Sequence, residues 1–132
     1  MTLSALLVDD SPDFLRSAVR TVERHPDVAV VGTACSGCEG LAQAERLHPQ
    51  VVFLDVAMPD LNGLDATRSL KRWPAPPYVV ILTLYDIPEY RDAAALAGAD
   101  AFVPKWELDA QLPGLLERVR RRYGDPHPVR HR

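Results

Sequence analysis

The chain has 132 residues, of which 47% are hydrophobic and 25% are charged, and its formal net charge is −3. This size and composition are typical of one globular domain with its own core. The first apolar run, Leu3–Val8, is much shorter than the ~18 apolar residues of a membrane helix, and no signal peptide is recognisable. We therefore expect a cytoplasmic protein without a membrane segment. Two cysteines are too few for a disulfide framework.

The charge is distributed unevenly along the sequence. Residues 117–132 hold six arginines against Glu117 and Asp125, so this end carries +4 and the first 116 residues carry −7. A nucleic-acid-binding protein usually has a larger basic face, so we expect no direct binding of nucleic acid by this chain. The sequence predicts one domain over residues 1–123 and a flexible basic tail or linker over residues 124–132.

Short apolar runs alternate with helical patterns from one end of the domain to the other. The runs predict five buried strands, Leu3–Val8, Val28–Ala34, Val51–Leu54, Tyr78–Thr83 and Ala101–Val103. Apolar residues at helical spacing predict five helices, over residues 12–22, 37–47, 64–73, 86–97 and 108–123. We expect Ser11 to cap the first helix, and Asp86 with Glu89 to form a capping box on the fourth. Five such βα units predict an α/β fold, a five-stranded parallel sheet with helices on both faces.

Polar side chains follow four of these strands. Asp9 and Asp10 follow the first strand, Asp55 the third, Thr83 ends the fourth, and Lys105 comes after the fifth. Because open α/β sheets bind ligands at the carboxyl ends of their strands, we expect these five side chains to meet at one edge.

Three neighbouring carboxylates require a counter-charge. Two unit charges about 4 Å apart repel by roughly 4 kcal/mol at an effective dielectric constant near 20, so a cation must bind or one carboxyl group must stay protonated. Oxygen ligands with several waters favour Mg²⁺. A carboxylate such as that of Asp55 can also act as a nucleophile and form an aspartyl-phosphate, with Lys105 and Thr83 contacting the phosphoryl oxygens.

The pattern resembles the receiver domain of two-component response regulators over about residues 3–122. The resemblance is carried by Asp9-Asp10, by Asp55 with Met58-Pro59 and Asn62-Gly63, by Thr83 and by Lys105. It implies the flavodoxin-like receiver fold, with Asp55 as the phosphoacceptor. It also implies a Mg²⁺ site formed by the Asp10 and Asp55 side chains, the backbone carbonyl of Ala57, and Asp9 through water. Thr83 and Phe102 would be the switch hydroxyl and the switch aromatic residue.

The resemblance further implies how such a protein works. A sensor histidine kinase, a histidine phosphotransfer protein or a small phosphodonor would phosphorylate Asp55. The new charge would draw Thr83 and Lys105 inward, Phe102 would turn, and the face of the fourth helix, fifth strand and fifth helix would change. The chain would not be an enzyme, apart from its own phosphorylation and dephosphorylation. Its output would pass to a downstream protein partner or a fused output domain, and a homodimer is a further possible partner. The chain would be either a stand-alone regulator or the receiver part of a DNA-binding transcriptional regulator.

Some features of the sequence leave alternatives open. Leu84 stands where receivers usually have a small residue, and Trp106 stands where many have proline, which keeps a phosphate-independent receiver-like scaffold under consideration. An aspartate-nucleophile phosphatase of the haloacid-dehalogenase kind is disfavoured, because the first acids are adjacent instead of forming Asp-x-Asp. Cys35 and Cys38 form a C-x-x-C pair, for which a thioredoxin-like redox role or a zinc site is a minor alternative to coincidence.

Overall fold

The computed structural model describes residues 2–124, which form alternating strands and helices. In chain order these are β1 (Leu3–Val8), α1 (Pro12–Glu23), β2 (Val28–Ala34), α2 (Gly37–Leu47), β3 (Val51–Asp55), α3 (Gly63–Lys71), β4 (Tyr78–Thr83), α4 (Pro88–Ala97), β5 (Ala101–Pro104), a 3₁₀ turn (Lys105–Glu107) and α5 (Leu108–Arg122). The strands pair in parallel in the order β2-β1-β3-β4-β5. The predicted five-stranded parallel α/β fold is confirmed.

The central strands are apolar on both faces because helices cover both sides of the sheet. One core contains alternate residues of the strands together with α1 and α5, and includes Leu7, Phe53, Leu82, Leu112 and Leu116. The other core lies on the opposite face against α2, α3 and α4, and includes Leu6, Leu54, Ile81, Ala44 and Leu70. The uninterrupted apolar runs of β3 and β4 therefore follow from burial on both faces.

The strand order fixes where a ligand can bind. The chain passes from β1 to β2 on one side and then continues through β3, β4 and β5 on the other, so the direction of winding reverses between β1 and β3. The carboxyl ends of these two strands form a crevice at the topological switch point of the sheet, which is where open α/β sheets bind ligands. Asp9, Asp10 and Asp55 lie at this crevice.

The predicted capping box on α4 is wrong. The helix begins at Pro88, and its N-cap residue Ile87 makes no side-chain capping hydrogen bond. Asp86 instead forms an ion pair with Arg91, with 2.7 Å between Oδ1 and Nη2. Pro88 supplies the preset φ of the first helical residue, so the helix starts two residues later than predicted and leaves the Asp86 carboxylate available to Arg91.

The other element boundaries follow the predictions closely. Ser11 caps α1 as predicted, since its Oγ accepts a hydrogen bond from the Phe14 amide at 3.2 Å. Helix α3 ends at Lys71, two residues before the predicted end. Within residues 2–124, no helix has the length and apolar character needed to cross a lipid bilayer. The predicted tail lies outside the described residues, apart from Gly124.

Candidate functional site

The three acidic side chains at the ends of β1 and β3 meet as predicted. Carboxylate oxygens of Asp9, Asp10 and Asp55 all lie within 4.8 Å of one another. Asp9 and Asp55 are buried, and Asp10 is exposed. Asp9 is further held by the Ser11 amide, which donates to its Oδ1 at 2.9 Å. The cluster is thus built from two strand ends and the start of α1.

Lys105 supplies the positive charge of the cluster. Its Nζ lies 2.6 Å from Oδ2 of Asp9 and 3.5 Å from Oδ2 of Asp55. The same nitrogen lies 4.4 Å from the centre of the Phe14 ring, a contact that the sequence did not reveal. Lys105 starts the 3₁₀ turn that follows β5, so it reaches the acids although Trp106, and not proline, follows it.

The charge balance of the cluster is unfavourable for Asp55. Its pKa is raised from 3.8 to about 6, first by burial and then by the charge of Asp9, with a smaller contribution from Asp10. Lys105 and the backbone amide of Ala57 oppose this rise in pKa without cancelling it. Burial and like charge together therefore favour a proton, or a bound cation, at Asp55.

The donor set fits a hard divalent cation. It consists of three carboxylates, and oxygen ligands of this kind are those that Mg²⁺ prefers. Oδ2 of Asp9 is buried and, among residues 2–124, has no hydrogen-bond donor with suitable geometry, although Lys105 lies near it. Within the same residues, this is the one group of three metal-ligating side chains that come together. Ala57 is exposed beside the cluster, so its carbonyl remains a candidate fourth ligand.

A surface cleft of about 240 Å³ opens over the cluster. Its lining consists of Asp10, Ser11, Asp55, Ala57, Leu84, Tyr85 and Lys105. Leu84 is 59% exposed and forms part of the wall without closing the opening. The cleft therefore leaves room for a small anion above Lys105 and Asp55, with an apolar wall on the β4 side.

Thr83 and Phe102, the predicted switch residues, lie on the same face of the sheet. Thr83 pairs with Pro104 and Ile81 with Phe102 in the β4–β5 ladder, and alternate residues of a strand point to the same side. Thr83 is fully buried, and its Oγ1 accepts a hydrogen bond from the Tyr85 amide at 2.9 Å. Phe102 is partly buried, beneath the guanidinium of Arg91.

Cys35 and Cys38 are free, exposed thiols at the start of α2. Cys38 is close to Asp60, whose hydrogen bond and charge raise the pKa of the thiol. A raised pKa favours the thiol over the reactive thiolate, which disfavours a thioredoxin-like role. Oxygens of Asp60 also accept hydrogen bonds from the Gly37 and Cys38 amides, at 3.0 and 2.9 Å, so Asp60 ties the loop after β3 to α2.

Comparison with known proteins relates this arrangement to a family. A family model described as "Response regulator receiver domain" matches residues 5–117. The protein-glutamate methylesterase/protein-glutamine glutaminase of Alkalilimnicola ehrlichii is 37% identical over 122 residues, which are 92% of this chain and 31% of that protein. A Myxococcus xanthus protein of the same description is 39% identical over 104 residues, 78% of this chain and 30% of its own. The chain thus spans less than a third of the length of these relatives.

Solved structures give the same result for the fold. The signal receiver domain of the response regulator NarL from Mycobacterium tuberculosis superposes with a TM-score of 0.85 at 25% identity, covering 90% of this chain and 97% of that one. The response regulator domain of Thermotoga maritima CheB superposes with a TM-score of 0.76 at 30% identity, covering 92% and 96%.

Proposed function

Because the chain belongs to the family of response regulator receiver domains, we propose that it is a phosphorylation-controlled switch in which Asp55 accepts a phosphoryl group. The donor is the phosphohistidine of a sensor kinase or phosphotransfer protein, or a small phosphodonor such as acetyl phosphate. The observation that carries this proposal is the meeting of three carboxylates and Lys105 at the switch point of the sheet.

Of the three acids, Asp55 is best suited to be the nucleophile. Asp9 is buried and is not among the residues that line the cleft, and its Oδ1 accepts a hydrogen bond from the Ser11 amide at 2.9 Å. Asp10 is exposed. Asp55 is buried at the floor of the cleft, its contact with Lys105 at 3.5 Å is longer than that of Asp9, and its raised pKa makes its carboxylate more basic. A more basic oxygen is the better nucleophile once it is deprotonated.

The residues of the site have distinct roles in the transfer. Asp10 and Asp55, the carbonyl of Ala57, and Asp9 through water would hold Mg²⁺, which when bound offsets the negative charge of the carboxylates and the phosphoryl oxygens. An oxygen of Asp55 attacks phosphorus as the bond from phosphorus to the histidine nitrogen breaks, and that nitrogen leaves with the electron pair. Lys105 stabilises the phosphoryl oxygens as a point charge.

The phosphoryl group then changes the hydrogen bonding of Thr83. Its hydroxyl, which accepts from the Tyr85 amide at 2.9 Å, turns to donate to a phosphoryl oxygen. The space that Thr83 leaves admits the Phe102 ring, and the surface of α4, β5 and α5 changes for a downstream partner. This is a local electrostatic event that biases a two-state element. The chain hydrolyses only its own aspartyl-phosphate and turns over no other substrate.

The output follows from the molecule to which the receiver is joined or binds. The curated relatives named above are methylesterase/glutaminases of which this chain matches less than a third, whereas a structural neighbour at 29% identity is a LuxR-family response regulator from Aurantimonas. We therefore place the function of this chain in phosphoryl-controlled protein binding and assign the output to a fused domain or a separate partner.

The test is the mass of the intact protein after incubation with acetyl phosphate and Mg²⁺. We expect the parent to gain one phosphoryl group (~80 Da) that hydroxylamine removes, as expected of an acyl phosphate. Asp55→Asn should gain nothing, and Asp13→Asn, at an exposed acid on α1 paired with Arg16, should behave like the parent. A parent that gains no mass from acetyl phosphate or from a phosphohistidine donor, and gains no thermal stability from Mg²⁺, would be a phosphate-independent scaffold.

A further inference from the structure

We propose that Arg91 is a positioning residue that holds the Phe102 ring in the partly exposed position seen here while Asp55 is unphosphorylated, and so sets how readily the switch turns. This inference rests on the proposed function, because it concerns the same switch. Arg91 lies in the first turns of α4 and Phe102 lies in β5. Their contact therefore spans two elements of the face that is expected to change on phosphorylation.

The contact is a cation–π interaction. The Cζ atom of Arg91 lies 4.5 Å from the centre of the Phe102 ring, well within the ~6 Å over which a ring face attracts a cation. A planar guanidinium can also stack on an aromatic ring in a way that an ammonium group cannot. The ring is partly buried against the α2/α3/α4 core and has the charge of Arg91 above it, so Arg91 favours the ring position seen here.

Asp86 fixes the guanidinium in this place. Its Oδ1 lies 2.7 Å from Nη2 of Arg91, so the guanidinium is held by a carboxylate as well as by the ring. The Asp86 carboxylate is available for this contact because α4 begins at Pro88 and not at Asp86. The latch is thus a chain of three side chains, from Asp86 in the β4–α4 loop, through Arg91 on α4, to Phe102 on β5.

The latch is connected to the phosphoryl site through the same loop. Thr83 Oγ1 accepts a hydrogen bond from the Tyr85 amide, next to Asp86 in the chain. The Tyr85 ring also meets the ring of Tyr90, beside Arg91, edge to face at 5.9 Å. When Thr83 turns to the phosphoryl group, Tyr85 loses this hydrogen bond and the loop that carries Asp86 is released. Phosphorylation would therefore weaken the hold of Arg91 on Phe102 at the moment that space opens beside Thr83.

The side chains around Phe102 explain why Arg91 restrains its ring. A cleft of about 180 Å³ between α4 and β5 is lined by Arg91, Ala94, Ala95, Ala99, Asp100, Ala101 and Phe102. Apart from the ring itself, Arg91 is the largest of these side chains. The alanines are too small to restrain the ring on this side, and Asp100 is paired with Lys71 and Arg122, so Arg91 is the side chain that restrains the ring here. A contact of this exposed kind changes the ratio of two ring positions by about two- to fivefold.

The test uses the three phenylalanines of the chain, Phe14, Phe53 and Phe102. The full chain is labelled with 4-fluorophenylalanine, and fluorine NMR resonances are assigned by replacing each phenylalanine with leucine in turn. Phe53 is fully buried and reports on the core. Phe14 lies against Lys105 and reports on the acidic site. Phe102 reports on the switch.

We expect Arg91→Gln to move the Phe102 resonance of the unphosphorylated protein toward its position after treatment with acetyl phosphate and Mg²⁺, with a two- to fivefold larger inward fraction. Asp86→Asn should move it in the same direction by less, and Arg91→Lys should be intermediate. The control is Arg68→Gln, at an exposed arginine of α3 paired with Asp65, which should leave Phe102 unchanged. An unshifted Phe53 resonance shows that each variant is folded.

The two proposals fail in different ways. In one outcome, acetyl phosphate adds mass and moves the Phe14 and Phe102 resonances of the parent while Arg91→Gln leaves the Phe102 resonance at the parent position. In that case the proposed function is supported and the proposed role of Arg91 is wrong. If the parent gains no phosphoryl mass and Phe14 does not move, the proposed function is wrong, and the role of Arg91 in a switch is wrong with it.

Discussion

Asp55 holds a proton more tightly than a carboxyl group in water does, because it is buried and lies beside Asp9. Its pKa is raised from 3.8 to about 6, so between these pH values the folded protein binds more protons than the unfolded chain. The free energy of unfolding therefore falls as the pH rises through this window. This loss of stability is complete once the pH is well above 6 and Asp55 is fully ionised. The same crowding of charge that costs stability prepares the site for a cation.

Replacing this carboxyl group should stabilise the protein at neutral pH. We expect Asp55→Asn, without divalent cations, to raise the free energy of unfolding at pH 7.5 by on the order of 2 kcal/mol, with the gain shrinking as the pH falls to 4. Urea denaturation across this pH range measures it, with Asp13→Asn as the control. Mg²⁺ should reduce the gain, because it stabilises the parent. An Asp55→Asn variant less stable than the parent at neutral pH would show that burial and the charge of Asp9 do not make the ionised Asp55 destabilising.

At the scale of elements, the loop from β3 to α3 is folded tightly against the strand it leaves. A Cβ atom at Gly63 would lie 2.1 Å from the carbonyl oxygen of Asp55, so only glycine fits at the start of α3. In contrast, a Cβ at Gly114 on α5 would have its nearest neighbour 3.9 Å away, the end of the Arg118 side chain. Gly114 therefore serves as the control for Gly63, because alanine has room at one position and no room at the other.

Alanine at these positions should have opposite effects. We expect Gly63→Ala to lower the free energy of unfolding by roughly 1–3 kcal/mol and to slow phosphoryl uptake, because the backbone of Asp55 must shift. Gly114→Ala should raise stability by about 0.5–1 kcal/mol, as in other helix interiors, and leave uptake unchanged. Urea denaturation and the rate of mass gain measure both. Equal effects of the two substitutions would contradict this account of the loop.

The sequence predicted what depends on local pattern. Apolar runs located the strands, and the polar residues that end them predicted the meeting of Asp9, Asp55 and Lys105. The predicted start of α4 was wrong although Pro88 is a local signal for a first helical residue; the contact of Asp86 with Arg91 has no such signal. Contacts between distant segments also escaped prediction, such as Phe14 against Lys105 and Asp60 with the Gly37 amide, 23 residues away. Such contacts have no local pattern that could reveal them.

At the scale of the whole molecule, the last helix is fixed to the sheet up to its end. The guanidinium of Arg122 lies 2.6 Å from Oδ1 of Asp100, and the Tyr123 hydroxyl donates to the carbonyl of Gln50 at 2.8 Å. Gln50 precedes β3, at the edge of the sheet opposite the acidic cluster. The end of α5 is therefore held by residues of the domain itself.

Residues 125–132 should thus be dispensable for folding and for phosphoryl uptake. We expect a chain ending at Gly124 to have the same free energy of unfolding as the parent, within about 0.5 kcal/mol, and the same rate of mass gain with acetyl phosphate. Urea denaturation and intact mass compare the two chains. A large loss of stability on truncation would place the domain boundary beyond Tyr123 and contradict the predicted division of the chain.

Asp55, among three neighbouring carboxylates, is the residue that we propose takes the phosphoryl group. The most direct measurement is to treat the protein with acetyl phosphate and Mg²⁺, reduce the acyl phosphate with borohydride, and locate the resulting homoserine by peptide mass spectrometry. We expect homoserine at Asp55, with aspartate retained at Asp9 and Asp10. Homoserine at Asp9 or Asp10, with Asp55 intact, would contradict it.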